Sequence, residues 1–244
     1  MQNKPEYKRV LLKISGEALR HDHPERILDD AYMEQVAHAI GICVEQGVEI
    51  AVVIGAGNIW RGARQGSGMD RCTADNMGML ATAINSLGMQ DALIRAGVPA
   101  KVLSAIDMPK IAEIFTRERA LTYMKQGNVV LLACGSGNPF FSTDTAAMLR
   151  ASELSCDALM MAKNIDGIYN KDPNKPGNED ARRYETLTYR QILAESLAAI
   201  DATAAALGQE TKQTMLVFDA NEPMSIADVI LGRKKPGTIV NGGE

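Results

Sequence analysis

Residues 135–150, GSGNPFFSTDTAAMLR, place two glycines, a proline, small hydroxyls and an aspartate ahead of an apolar run. Asn128 to Ala133 (NVVLLA) before it reads as a short buried parallel strand, and Ala146, Ala147, Leu149, Ala151 and Leu154 after it suit a helix starting near 142–145. A capped strand-to-helix turn is the plain alternative, with Ser or Thr as cap and Asp144 at the positive end of the dipole. A turn needs one glycine, however, whereas this run predicts backbone N–H groups gathered at one spot, the usual setting for an anion and above all a phosphate.

Three further strand-ending loops carry compatible chemistry. In LLKISGEAL, Lys13 is followed by Ser15 and Gly16, which can set an ammonium beside phosphate oxygens. VVIGAGNIWRGA supplies Gly55, Ala56, Gly57, Asn58 and Arg61, the arginine able to grip phosphate with two parallel hydrogen bonds. AKNIDGIYNKDP turns at Asp166-Gly167 and carries Tyr169 and Asp172; a hairpin is its simpler reading. The glycine spacing of a dinucleotide fold and the GxxxxGK[ST] phosphate loop are both missing. A lysine, an arginine and glycine-rich loops at one sheet edge fit two phosphate-bearing ligands placed head to head. Phosphoryl transfer depends mainly on positioning and charge neutralisation. No histidine stands in these loops as a general base, and a phosphate acceptor, with a second pKa of about 6, supplies its own anionic oxygen.

The elements that must position these loops follow from the apolar pattern. Strand-like runs recur at 9–14, 49–54, 101–104, 128–133, 158–161 and 215–218. Helical patterns lie between them, at 29–46 with Met33, Val36, Ala37, Ile40 and Val44 on one face, and at 77–96 before Gly97 and Pro99. This alternation predicts a single α/β domain over 1–244, a three-layer α/β/α sandwich with a mostly parallel central sheet and ligands at the carboxyl ends of its strands. The polar stretch 170–183 reads as a surface excursion, and 201–207 (DATAAAL) as packing.

Composition narrows the class. The 244 residues are 46% hydrophobic and carry a net charge of −4, which gives no electrostatic case for nucleic acid or an anionic membrane. No apolar run approaches the ~20 residues of a membrane span, and MQNKPEYKRV lacks the apolar core of a secretion signal. Cys43, Cys72, Cys134 and Cys156 are dispersed and read as reduced thiols, so the expected setting is cytoplasmic. His21 and His23 around Asp22 lack further clustered ligands and read as a solvated loop rather than a metal site.

The segments KISGEAL, VVIGAGNIWRG, DRCTADNMGMLAT, GSGNPFFSTDTAA and IDGIYNKDP occur in this order over nearly the whole chain. Together they resemble the bacterial UMP kinase (uridylate kinase) family of the amino-acid-kinase fold superfamily. The resemblance implies transfer of the ATP γ-phosphoryl group to UMP, giving UDP and ADP, with Mg²⁺ accompanying ATP and no dedicated protein cage for it. It implies a catalytic set of Lys13, Arg61 and Asp144. ATP would lie against Lys13, Ile14, Ser15, Gly16, Gly57, Arg61, Asn164, Tyr169 and Asp172, with Lys163 as the alternative to Asn164 because the segment is one residue shorter than in some members. UMP would lie against Ala56, Asp75, Ser136, Gly137, Asn138, Pro139, Phe140, Phe141, Ser142 and Thr143, with the Asp75 carboxylate on the ribose hydroxyls. Pyrimidine nucleotide biosynthesis, a homohexamer and feedback inhibition by UTP are implied in the same way. Residues 20–27 (RHDHPERI) depart from the longer glycine-containing loop associated with allosteric GTP in many members.

Trp60, Phe140 and Phe141 could stack on bases or serve packing, whereas Met77, Met79 and Met89 at helical spacing read as core or oligomer surface. Two rival functions stand beside the kinase. One is a related enzyme making an acyl phosphate from an amino acid or carbamate; the other is a non-catalytic nucleotide sensor. Asp75 and the 135–143 loop favour a phosphorylated nucleoside over the first, and Lys13, Arg61 and Asp144 favour catalysis over the second.

Overall fold

Strand β1 (Arg9–Ile14) runs through the middle of the molecule, paired in parallel with β2 (Glu49–Ile54) on one side and β6 (Ala158–Lys163) on the other. This computed structural model describes residues 5–20, 23, 25–60, 68–197 and 199–242. Beyond β2 the sheet continues through β5 (Val129–Ala133), β3 (Ala100–Ser104) and the short β4 (Glu113–Ile114). Beyond β6 come β10 (Met215–Asp219), β11 (Thr238–Asn241) and β9 (Thr186–Thr188). Among the described residues every pairing in this nine-stranded sheet is parallel except β10 with β11. The unbroken apolar runs of the central strands follow from this arrangement, because a parallel sheet is buried on both faces.

Alternation along β1 decides what each face receives. Val10, Leu12 and Ile14 enter one core with helices α1 (Asp30–Glu45) and α2 (Arg71–Arg95) and the helix Met224–Ile230. Leu11 enters the opposite core, formed with α3 (Arg117–Lys125), α4 (Thr143–Glu153), α5 (Tyr189–Ala194) and α6 (Ala202–Thr211); Met224–Ile230 is α7. Lys13 shares the parity of Leu11 and so points toward α4. On β6, Leu159 and Met161 belong to that same core, which gives Lys163 the same direction.

The expected helix at 77–96 begins six residues earlier, at Arg71, where the Asp70 carboxylate accepts from Thr73 N–H at 3.0 Å. The Asp166-Gly167 turn precedes β7 (Ile168–Tyr169), which pairs with β8 (Arg183–Tyr184); the polar excursion is the connection between those two strands. None of the described cysteines is in a disulfide. Among the described residues no helix is long and apolar enough to cross a membrane.

Candidate active site

The first loop is fixed by backbone contact. A Cβ on Gly16 would stand 2.3 Å from the Gly55 carbonyl oxygen, so the loops after β1 and β2 meet closely enough to require glycine there. Asn85, fully buried on α2, secures the second loop by donating to Gly55 O at 2.7 Å and exchanging amide hydrogen bonds with Asn58 at 2.8 and 2.9 Å. Trp60 donates its indole N–H to Ala74 O at 2.8 Å, which ties it to α2. Arg61 lies outside the described residues, as do His21 and Asp22.

The 135–143 loop is narrower as an anion cradle than its composition predicts. Cys134 N–H, at the end of β5, is held by Thr82 Oγ1 at 2.8 Å, and Gly137 N–H by Cys134 O at 3.0 Å. Asn138 N–H goes to Ser136 Oγ and Phe140 N–H to Asp75 Oδ2 at 2.8 Å. Asp144 and Thr145 N–H both donate to Ser142 Oγ, the cap of α4. Among the described residues this leaves the N–H groups of Gly135, Ser136, Phe141, Ser142 and Thr143 without an acceptor, the last three just ahead of the positive end of the α4 dipole. Gly137 has φ +82°, and a Cβ there would meet Ala105 O at 3.0 Å. Glycine at 137 is therefore favoured both by the backbone conformation and by the close approach of the neighbouring 105 segment.

Behind the loop stands a charge cluster. Lys13, 8% exposed, places Nζ 2.7 Å from Asp144 Oδ1, and Lys163 Nζ is 3.8 Å from Asp144 Oδ2. Burial pushes the Asp144 carboxyl upward, but the attraction of Lys13 and then of Lys163 outweighs it and holds the group below its ordinary value. Burial lowers the Lys163 ammonium pKa, and the Asp144 charge opposes this without cancelling it. Lys163 also donates to Ala199 O. Asp201 does more than the packing its sequence context predicts: it caps α6 and receives hydrogen bonds from Ser142 Oγ and, at 2.9 Å, from Thr145 Oγ1. It thereby joins the N-termini of α4 and α6 beside the two lysines.

Two cavities are lined by the loops around this cluster. One, of about 300 Å³, is lined by Ala56, Gly57, Trp60, Asp75, Ser136, Asn138, Phe141, Ser142 and Thr143, among others. The other, of about 460 Å³, is lined by Lys163, Tyr169, Asp172, Leu197 and Val217 among others. The structure thus gathers most of the expected acceptor residues in the first cavity. Gly57 lies there beside Ala56, apart from Tyr169 and Asp172. Asn164 is exposed and absent from the second cavity's lining, where Lys163 stands instead. Phe140 is turned outward at 65% exposure. Lys163, Asp201, Thr82 and Asn85 are the residues that motif reading passed over or left as an alternative. Strand parity offered a signal for Lys163, and a polar residue on a helix's apolar face for Asn85.

Comparison with known proteins agrees with this fold. The model of the amino acid kinase family matches residues 8–219. Uridylate kinase of Paramagnetospirillum magneticum is 48% identical over 234 residues, 96% of each chain. The crystal structure of UMP kinase from Bacillus anthracis superposes with a TM-score of 0.90 at 34% identity, covering 98% of this chain and 97% of that one. UMP kinase from Ureaplasma parvum gives 0.89 at 37% identity, covering 96% and 98%. With one cavity lined by Lys163 and another by Ser142 and Thr143 beside Asp144, and relatives of this likeness over nearly its full length, the chain belongs to the amino acid kinase family and, within it, to the uridylate (UMP) kinases.

Proposed function

We infer that this chain transfers the γ-phosphoryl group of ATP to UMP, giving UDP and ADP. The observation that carries the reading is the Lys13–Asp144–Lys163 cluster between two loops that line cavities: Lys163 lines the larger cavity, and Ser142 and Thr143, next to Asp144 at the α4 N-terminus, line the smaller. UMP occupies the cavity of Asp75 and the 135–143 loop, its phosphate against the N–H groups of 141–143 and its ribose against the Asp75 carboxylate. ATP occupies the cavity of Tyr169 and Asp172, with its γ-phosphate directed at the lysines. Lys13 neutralises charge on the transferring group. Asp144 keeps both ammonium groups aimed, and Arg61 adds a further positive charge from the second loop. Electrostatic positioning of this kind supplies most of the catalysis in phosphoryl transfer.

Among the described residues no group of three or more His, Cys, Asp or Glu is placed to hold a metal ion, and both Asp144 oxygens face ammonium groups. That donor set fits Mg²⁺ arriving on the nucleotide, since Mg²⁺ keeps several waters and binds through phosphates with one or two carboxylates. When bound there it would neutralise phosphate oxygens, and Asp144, shared with the two ammonium groups, would be the carboxylate to orient its water shell. The same reading makes the protein a cytoplasmic enzyme of pyrimidine nucleotide biosynthesis, with UTP as a feedback inhibitor and a homohexamer as its assembly. Self-association is supported by a stripe of exposed apolar residues on α2: Met77, Leu80, Ile84, Leu87 and Ile94.

The test is ADP release from ATP and Mg²⁺ with UMP, glutamate, aspartate or carbamate as acceptor. Turnover with UMP alone is expected. Turnover with an amino acid or carbamate in its place would favour the acyl-phosphate reading, and none with any acceptor would favour a sensor.

A further inference from the structure

Phe140 carries a bulky side chain at φ +72°, a left-handed region that is strained for any residue other than glycine. Its ring is exposed, so core packing does not hold it in that conformation. Two polar contacts do. Its N–H donates to Asp75 Oδ2 at 2.8 Å, and the Arg71 guanidinium lies over its ring, 5.6 Å from the centroid. Arg71 is itself bound to Asp75, Nε to Oδ2 at 2.8 Å, four residues along α2. Both hydrogen bonds therefore converge on one oxygen of the carboxylate. Among the described residues none falls on Oδ1. Arg71 does not line the acceptor cavity, whereas Asp75 does.

We propose that Arg71 is a positioning residue that sets the selection of a ribonucleotide over a 2′-deoxyribonucleotide acceptor, by pinning Asp75 through Oδ2 so that Oδ1 stays open to the sugar hydroxyls. Through the ring of Phe140 the same guanidinium ties the 135–143 loop to α2, so the carboxylate and the phosphate-facing N–H groups keep a fixed separation. This rests on the assignment of the smaller cavity to UMP. An unpinned Asp75 rotates about its side-chain bonds and loses its bonds to both ribose hydroxyls. A 2′-deoxy acceptor has one of those bonds fewer to lose, so discrimination falls along with affinity.

The experiment compares the parent with Arg71→Ala, Arg71→Gln and Arg71→Lys, using UMP and 2′-deoxy-UMP as acceptors and measuring kcat and KM for each acceptor and for ATP. Arg71→Ala is expected to raise KM for UMP by about tenfold, the scale of one charge-assisted hydrogen bond, with KM for ATP changed less than about twofold. The ratio of kcat/KM for UMP over 2′-deoxy-UMP should fall several-fold. Arg71→Lys, which keeps an i,i+4 ion pair, should restore most of it. Arg71→Gln repeats the test if the alanine variant does not fold. An unchanged ratio in a folded variant, or KM for ATP rising as far as KM for UMP, overturns the role of Arg71. A parent that does not phosphorylate UMP overturns the acceptor assignment itself, and this role with it.

Discussion

At the scale of single residues, the chemistry is concentrated in three charges. Lys13 is nearly buried and touches Asp144, so its removal deletes a positive charge that solvent cannot replace. Lys13→Ala should lower kcat by roughly 10²-fold or more with the fold retained, the scale of losing one preorganised transition-state contact. Near-normal turnover would exclude this role. The variant also has a pH signature. Burial raises the Asp144 carboxyl and the two lysines bring it below its ordinary value, so its stabilising contribution is present above the unfolded pKa and lost as pH falls through the lower folded one. Without Lys13 the folded value rises and the acid-side loss begins at higher pH. Melting temperatures of parent and Lys13→Met over roughly pH 3 to 7 test the sign, and a loss shifted toward lower pH would contradict the ion pair. Lys13 and Asp144 were legible because each stands in a motif, a K-x-S-G turn and the first turn of a capped helix. Lys163 was legible merely as a neighbour of Asn164, since local sequence does not say which strand faces which helix. Arg61, expected in the catalytic set, lies outside the described residues.

The elements hold these residues through their ends. Ser142 uses its hydroxyl three times, accepting from Asp144 and Thr145 N–H and donating to Asp201, so α4 and α6 begin at a shared joint. Asp201→Ala removes the acceptor for two hydroxyls and the cap of α6. It should cost about 1–3 kcal/mol of stability, readable as a lower denaturation midpoint; an unchanged midpoint would show that the joint is not structural. Gly137→Val places a branched side chain at φ +82° against Ala105 O, and should abolish measurable UMP binding by calorimetry together with local order. Thr143→Ala should be milder, at about 1 kcal/mol of binding, because the N–H groups remain. Equal affinity for uridine and UMP in the parent would mean that the loop is only a turn. The boundaries of α4 were readable from its cap. The start of α2 was not, because residues 71–76 carry only Cys72 and Ala74 as apolar side chains and its signal, Asp70 as cap, stands about two turns ahead of the apolar pattern.

For the molecule as a whole, the central strands and the two-faced core follow from sequence periodicity, whereas the edges do not. Strands of two to four residues, such as β4, β7, β8 and β9, are too short to show a period, and β11 becomes a strand by pairing antiparallel with β10. The expected self-association has a physical address on α2. Met77, Leu80, Ile84 and Leu87 recur at three- and four-residue steps and Ile94 follows one heptad on, a seam suited to packing against another helix, with Leu80 52% and Ile84 49% exposed. Leu80→Glu combined with Ile84→Glu should reduce the mass measured by sedimentation equilibrium while leaving the helical signal intact. An unchanged mass would place the interface elsewhere.

The alternation of β1 also limits how this chain can vary. Losing one residue between Val10 and Leu12 would leave a strand just as apolar, yet would swing Lys13 into the core shared by α1 and α2, with an aliphatic side chain facing Asp144. Losing two would return the lysine to its face but withdraw it by roughly 6.6 Å from the carboxyl end, at about 3.3 Å per residue. Length changes in the middle of this strand are therefore closed to the protein in steps of one or of two, while point substitutions among its aliphatic neighbours remain open.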